Sequence, residues 1–257
     1  MKQLIRFLVP AAFVYALLLQ PCYSQAMSLQ PPGIDREKSP RIFSASSLGA
    51  LLKSHSEHHP ATLILGASTT LAVQIAQGAQ ADVLISADRL SLRYLPNAAA
   101  KRPVEKMACN TLIIAARAED LQPDAKASVK DFQSALRNAG RVATGYPDYV
   151  PLGHYTRQAL IRAKIWKALR HKIVTANSAR EALHLLKLGQ VDRAILYASD
   201  ISQHDELIAF AEIPKHFHDQ VQYYAIALTK LGQQWLRGLT ANKDLFNLYG
   251  FKRCQDA

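Results

Sequence analysis

The chain has 257 residues, 49% hydrophobic and 20% charged, with 31 Lys+Arg against 20 Asp+Glu for a formal charge of +11. This is globular composition, and it excludes a disordered tail, a collagen-like repeat and a disulfide-dense mini-protein. The length suits two domains of about a hundred residues each. The basic balance bears on solubility and encounter, not on any one site.

The N-terminus reads Met1-Lys-Gln-Leu-Ile-Arg6, then an apolar run from Phe7 to Leu19, then small residues at Ser24 and Ala26. A positive start, a short apolar stretch and small residues predict a secretory signal over 1–26, cleaved after Ala26. The run is shorter than the roughly 20 residues that span a bilayer, which disfavours a membrane anchor. Gln20 and Pro21 stand where lipid attachment at Cys22 wants small residues. No later run is apolar enough to span. The mature protein is expected to be soluble and outside the cytoplasm, with its charge reduced to +9 by loss of Lys2 and Arg6.

Residues 27–40, with Pro31, Pro32, Gly33 and Pro40, read as a loose leader. Strands are then predicted at 41–43, 62–65, 83–85, 111–115, 141–143, 193–197, 207–211 and 221–228. Between most of them, apolar residues recur three and four apart, as in Leu48, Leu51 and Leu52, or Ala179, Ala182, Leu183 and Leu186. Strands alternating with helices predict an α/β architecture with mostly parallel sheets. No internal repeat or low-complexity block is present. Cys109 and Cys254 could pair in an oxidising compartment. Sequence does not say whether their Cα atoms come close enough, and two separate thiols are the alternative.

In such sheets, ligands bind beyond the carboxyl ends of strands, where helices begin. Four of these loops are rich in hydroxyls or turn residues: Ser44–Ser47, Gly66–Thr70, Tyr149–Gly153 and Asn177-Ser178. Ser178-Ala-Arg-Glu181 fits a capping box. Capping is the plain structural reading of any one such loop. Several together suit an anion, because free amides and hydroxyls converge and the helix dipole favours negative charge. No loop carries the Gly-rich Lys-Ser/Thr signature of a nucleotide phosphate site.

Taken in order, several segments resemble the periplasmic molybdate-binding proteins of ATP-binding-cassette importers. They are Phe43-Ser-Ala-Ser-Ser47-Leu48, Ala67-Ser68-Thr-Thr-Leu-Ala-Val-Gln-Ile75, Gly78-Ala-Gln-Ala-Asp82-Val-Leu-Ile-Ser86-Ala-Asp88, Asn110–Ile114, Pro147–Tyr155, Ile195–Asp200 and Tyr249-Gly250-Phe251. The match runs from about Arg41 to Lys252. The resemblance implies a two-lobed periplasmic-binding-protein fold, each lobe a mostly parallel sheet flanked by helices, with the ligand closed in the interlobe cleft. It places lobe 1 at 41–109 plus 223–257 and lobe 2 at 110–222. It implies five oxyanion donors: Ser47 and Ser68 with hydroxyl and amide, the main chain of Leu152 and of Ala179, and the Tyr197 hydroxyl. Asp82, Ser86 and Asp88 read as structural, since carboxylates repel an anion. The implied ligand is molybdate or tungstate, with no cofactor and no catalysis. The implied partner is a membrane permease, the location periplasmic, and the protein a monomer that binds no nucleic acid. Three features depart from the family: a segment between Ser47 and Ser68 about six residues short, Tyr146 where Asp is common, and Ala194 and Ala198 where glycines are common.

None of the five positions is Lys or Arg. Burying a dianion is costly, and several preorganised donors offset this, each hydrogen bond to a charged group contributing on the order of 1.5–3 kcal/mol. Two other readings stay open: a binding or sensor protein of the same fold for a different ligand, and a secreted hydrolase using Ser68. The latter suffers because Gly66-Ala-Ser68-Thr-Thr70 lacks the closing glycine of a nucleophile elbow. His55, His58 and His59 read as a solvated helix end, with a metal site as the lesser alternative. Tyr223-Tyr224, Trp166 and Trp235 read as packing residues. The basic stretch Lys164–Lys172 reads as a solvated helix face.

Overall fold

The computed structural model describes residues 39–121, 131–252 and 254. The predicted signal over 1–26, Cys22 and nearly all of the leader lie outside the described residues. In chain order come β1 (Arg41–Ala45), α1 (Gly49–His58), β2 (Thr62–Gly66), α2 (Ser68–Ala76), β3 (Val83–Ser86), α3 (Asn97–Ala100) and β4 (Glu105–Asn110). Next are β5 (Leu112–Arg117), α4 (Phe132–Arg137), β6 (Val142–Gly145), α5 (Pro151–Arg162), α6 (Trp166–Leu169), β7 (Ile173–Ala176), α7 (Ala179–Lys187), β8 (Arg193–Tyr197), α8 (Ala198–Ile201) and β9 (Leu207–Glu212). The chain returns through β10 (Val221–Ala227), α9 (Lys230–Ala241) and α10 (Lys243–Leu248).

Among the described residues these strands form two five-stranded sheets, ordered β2-β1-β3-β10-β4 and β7-β6-β8-β5-β9. Each sheet is the centre of one α/β lobe. The short apolar runs of the sequence are their inner strands together with the edges β2 and β9: β3 is buried at every residue, and β8 at all but Arg193. A strand covered on both faces reads as a continuous apolar run. The α7 face of Ala179, Ala182, Leu183 and Leu186 is buried as its spacing predicts. Two strands were not expected, β4 and β7. Both are sheet edges with exposed positions: β4 opens on Glu105 and Lys106, which mask its apolar signal, whereas β7 is a four-residue Ile-Val-Thr-Ala run that does carry a strand's β-branched signal.

The sheets are more mixed than the expected mostly parallel arrangement. β1, β2 and β3 pair in parallel, as do β6, β7 and β8, but β10 is antiparallel to both its neighbours and so is β5. In each sheet four strands therefore run one way and one runs against them. The reversed strand is the one arriving from the other lobe: β5 follows β4 across Thr111, and β10 follows β9. The other strands point their carboxyl ends at the cleft, so a strand entering from the cleft must run outward.

The segment after α10 straps this hinge. Lys252 and Cys109 exchange backbone hydrogen bonds of 2.8 Å. Cys109 and Cys254 form a disulfide with their Cα atoms 4.9 Å apart. The Lys252 ammonium donates to Thr111 Oγ1 at 2.8 Å. Asp82 and Asp88 are structural, as read: Asp82 accepts from Arg41 N–H and from the Thr229 hydroxyl, and Asp88 from Ser91 N–H.

His55 is not solvated. It is buried, stacked on His59 with ring centroids 4.5 Å apart, and edge-on to Trp235. Among the described residues no group of three or more His, Cys, Asp or Glu is placed to hold a metal ion. Burial, aided by the charges of His59 and His58, pushes the His55 imidazole down to about 4 from its ordinary 6.5. Between those values this imidazole holds a proton in the unfolded chain that it lacks in the folded one, so its contribution to stability is lost as pH drops from about 6.5 towards 4, against the opposite contribution of the buried Asp200 carboxyl, whose folded value is raised to about 7. Thermal denaturation at stepped pH is expected to show His55→Phe losing less stability than the parent protein as pH falls through this range. An unchanged slope in that variant would remove His55 as a source of the loss.

Candidate functional site

One small pocket lies where the strand ends of both lobes meet. From the first lobe it takes Ser46 and Ser47 after β1, Ala67 and Ser68 after β2, and Ala87 after β3. From the second it takes Val150, Pro151 and Leu152 at the start of α5, Ala179 at the start of α7, and Tyr197 at the end of β8. All five residues expected as oxyanion donors are on its wall. Among the described residues no charged side chain lines it. Its volume is about 10 Å³, near the roughly 10–15 Å³ that one water needs. A larger guest therefore requires the lobes to part slightly.

The donors can be accounted for one at a time. Ser68 is buried and its Oγ accepts from Ala87 N–H at 3.0 Å, which leaves its own proton to donate. The Ser47 hydroxyl lies 2.8 Å from the Tyr223 hydroxyl, which in turn accepts from Asn110 Nδ2 at 3.4 Å. With Asn110 donating to Tyr223 and Tyr223 to Ser47, the Ser47 proton is free for the pocket. At α7, Glu181 N–H goes to Ser178 Oγ, Arg180 N–H to Ser46 Oγ and Ala182 N–H to Ser178 O. Ala179 N–H is the donor of that first turn that remains. The capping box is shifted, since Glu181 accepts from Asn177 N–H and not from Ser178. At α5, Pro151 occupies the first position and has no N–H, so the free donors of the turn begin at Leu152.

Tyr197 carries the strongest signal. It is 1% exposed, and its hydroxyl has no hydrogen-bond partner among the described residues. Burial holds its pKa well above the ordinary value, aided by the neighbouring tyrosines and carboxylates, so the hydroxyl stays a donor. A buried, unpaired O–H is costly unless something meets it.

Other residues that shape the site were not singled out as donors from sequence. Tyr155 donates to Ala87 O at 3.3 Å, and Arg180 N–H reaches Ser46 at 3.3 Å, so each ties one lobe to the other. Tyr223 is a link in the Ser47 hydrogen-bond chain as well as packing. Asn110 Nδ2 also donates to Ser199 Oγ at 2.7 Å across the hinge. Asp200 is buried and accepts from Tyr197 N–H at 3.0 Å. Burial pushes its carboxyl up to about 7, with that N–H and the charge of Arg180 pulling the other way. These roles depend on pairings between residues far apart in the chain, and local pattern does not carry them. Tyr146, which replaces the family's Asp, is off the pocket wall and stacks on Tyr149 with centroids 4.5 Å apart.

Two α/β lobes joined by crossing strands, with converging uncharged donors in the cleft between them, define a two-lobed ligand-binding protein. Residues 45–252 match the bacterial extracellular solute-binding protein family, and the chain belongs to that family. It is a binding protein and not an enzyme. It is 32% identical to the molybdate-binding protein ModA of Escherichia coli (strain K12) over 193 residues, covering 72% of this chain and 75% of the relative. The ModA of Haemophilus influenzae is 25% identical over 71% of this chain and 75% of that relative. Among solved structures, the periplasmic molybdate-binding protein of Azotobacter vinelandii superposes with a TM-score of 0.70 at 19% identity, covering 84% of this chain and all of that one. At that identity the likeness speaks for the fold.

The start of α5 can be tested directly. A Cβ on Gly153 would come within 2.0 Å of Gly145 O, a backbone atom that cannot yield cheaply. Gly153→Ala is expected to lower stability by about 1–3 kcal/mol and to displace the Leu152 N–H. A melting temperature equal to that of the parent protein would refute this packing.

Proposed function

We propose that this chain is the extracytoplasmic component of an ATP-binding-cassette importer that captures molybdate between its lobes and delivers it to the membrane permease. Tungstate, with the same charge and shape, is a ligand of the same site. The observation that carries the reading is the buried, unpartnered Tyr197 hydroxyl facing a pocket of free donors without a fixed positive charge. The molybdate-binding relatives support the choice of oxyanion. The protein acts as a periplasmic monomer, exported by the signal over 1–26. Lobe 1 comprises 41–109 plus 223–257, and lobe 2 comprises 110–222.

The ligand set is the hydroxyls of Ser47, Ser68 and Tyr197 and the main-chain N–H groups of Leu152 and Ala179. No side chain reaches the metal; the donors meet its oxygens. Five charge-assisted hydrogen bonds at about 1.5–3 kcal/mol each are of the size that micromolar to nanomolar affinity requires, roughly 8–12 kcal/mol. Helix starts add their dipoles at α2, α5 and α7. Neutral donors also leave no fixed counter-charge to hold the ion at release. Closure around one oxyanion separates the larger ions from sulfate by size, and the few bonds joining the lobes let them part.

Calorimetry with molybdate, tungstate, sulfate and phosphate tests the assignment. Molybdate and tungstate are expected to bind tightly and sulfate and phosphate weakly or not at all. Tyr197→Phe and Ser68→Ala are each expected to weaken molybdate binding by about tenfold or more; Tyr197→Phe leaves the melting temperature of the ligand-free protein nearly unchanged, while Ser68→Ala also lowers stability by about 1–3 kcal/mol because the buried Ala87 N–H loses its acceptor. Undiminished affinity in both variants would sink the site.

A further inference from the structure

We infer that Asp200 is a proton-coupled partner of the oxyanion pocket: when a dianion enters beside Tyr197, the Asp200 carboxylate takes up one proton from solvent. This rests on the oxyanion reading above. Tyr197 connects the two groups physically. Its N–H is held by Asp200 Oδ2 at 3.0 Å, while its unpartnered hydroxyl faces the pocket.

Asp200 is only 9% exposed. Among the described residues no Lys, Arg or His forms an ion pair with it. Arg180 on α7 faces it at longer range and favours its charge. Tyr223 on β10 and Tyr197 on β8 stay protonated beside it, both pushed up by burial first. Asp88, from the first lobe, adds a second negative charge felt at Tyr197. Lys252, behind the hinge, is engaged with Thr111. The carboxyl already titrates near neutrality because of its burial.

A dianion arriving in this dry region meets a nearby carboxylate of the same sign. Two like charges in low dielectric cannot both persist at full strength, and one group takes a proton. The pocket wall offers no alternative, since among the described residues no charged side chain lines it. Protonation spares the local structure, because the carboxyl group keeps a carbonyl oxygen to accept the Tyr197 N–H. His218, edge-on to Tyr155, has both ring nitrogens against carbonyl oxygens, of Asp219 and Ile213.

Molybdate binding to the wild-type protein is measured by calorimetry near pH 7.5 in two buffers of different protonation enthalpy. The heats are expected to differ by the uptake of a substantial fraction of one proton per ion. Affinity is expected to fall by up to about tenfold per pH unit above neutrality, a range in which molybdate itself is fully ionised. Asp200→Asn keeps an acceptor for Tyr197 N–H, so it is expected to bind with buffer-independent heat and a flat pH profile. The infrared difference spectrum of the wild-type protein is expected to gain a protonated-carboxyl band on binding, a readout that needs no variant. Tight binding with equal heats in both buffers, no new carboxyl band, or uptake that persists in Asp200→Asn would overturn the inference and leave the oxyanion reading standing. Absence of molybdate binding in every buffer would overturn both.

Discussion

A helix begins with N–H groups that its own turn cannot satisfy. In this protein α2, α5 and α7, from two separate sheets, begin at one pocket. Their unpaired amides, two serine hydroxyls and the Tyr197 hydroxyl converge on a volume that, among the described residues, no charged side chain lines. The neighbouring donors are consumed by internal bonds: Arg180 N–H by Ser46, Glu181 N–H by Ser178, Ala87 N–H by Ser68. Among the donors that remain free are the N–H groups of Leu152 and Ala179, both on the pocket wall. The rest of the architecture serves to hold these few groups in place.

The crossing strands do much of that holding. Because β5 and β10 enter their sheets from the cleft, they run against their neighbours and place their first residues beside the site. Tyr223, near the start of β10, reaches Ser47; Asn110, at the end of β4, reaches both Tyr223 and Ser199. Hinge and binding site therefore share one hydrogen-bond chain. A change in lobe angle has to act on the orientation of the Ser47 hydroxyl. The disulfide and the Lys252 bridge anchor the same junction from behind.

Charge balance in the cleft follows a division of labour. The wall holds neutral donors, of the kind that meet an anion by hydrogen bonds and dipoles. Among the described residues, the carboxylate hydrogen-bonded to a wall residue is Asp200, which is buried behind Tyr197 and pushed up to about 7 by that burial. In the proposed coupling, an ionisable group set behind the wall leaves the first contacts to neutral donors while the charge adjusts by one proton.

The inner strands, the amphipathic α7 face and the hydroxyl-bearing helix starts were legible from sequence because each is a local pattern of spacing and residue type. The family resemblance carried Ser47, Ser68, Leu152, Ala179 and Tyr197, and the structure brings these five to one pocket. The edge strand β4 escaped because it opens on Glu105 and Lys106, and β7 because its run is only four residues long. His55 was misread as solvated because its cover, Trp235, comes from a helix far along the chain. Sequence by itself determined which segments fold and which ends of them carry spare donors, because those properties depend on neighbours a few residues apart. Only the tertiary structure decided that β5 and β10 run backwards, that Cys109 meets Cys254, and that Asp200 lies dry behind Tyr197, because each depends on which distant parts of the chain exclude water from one another.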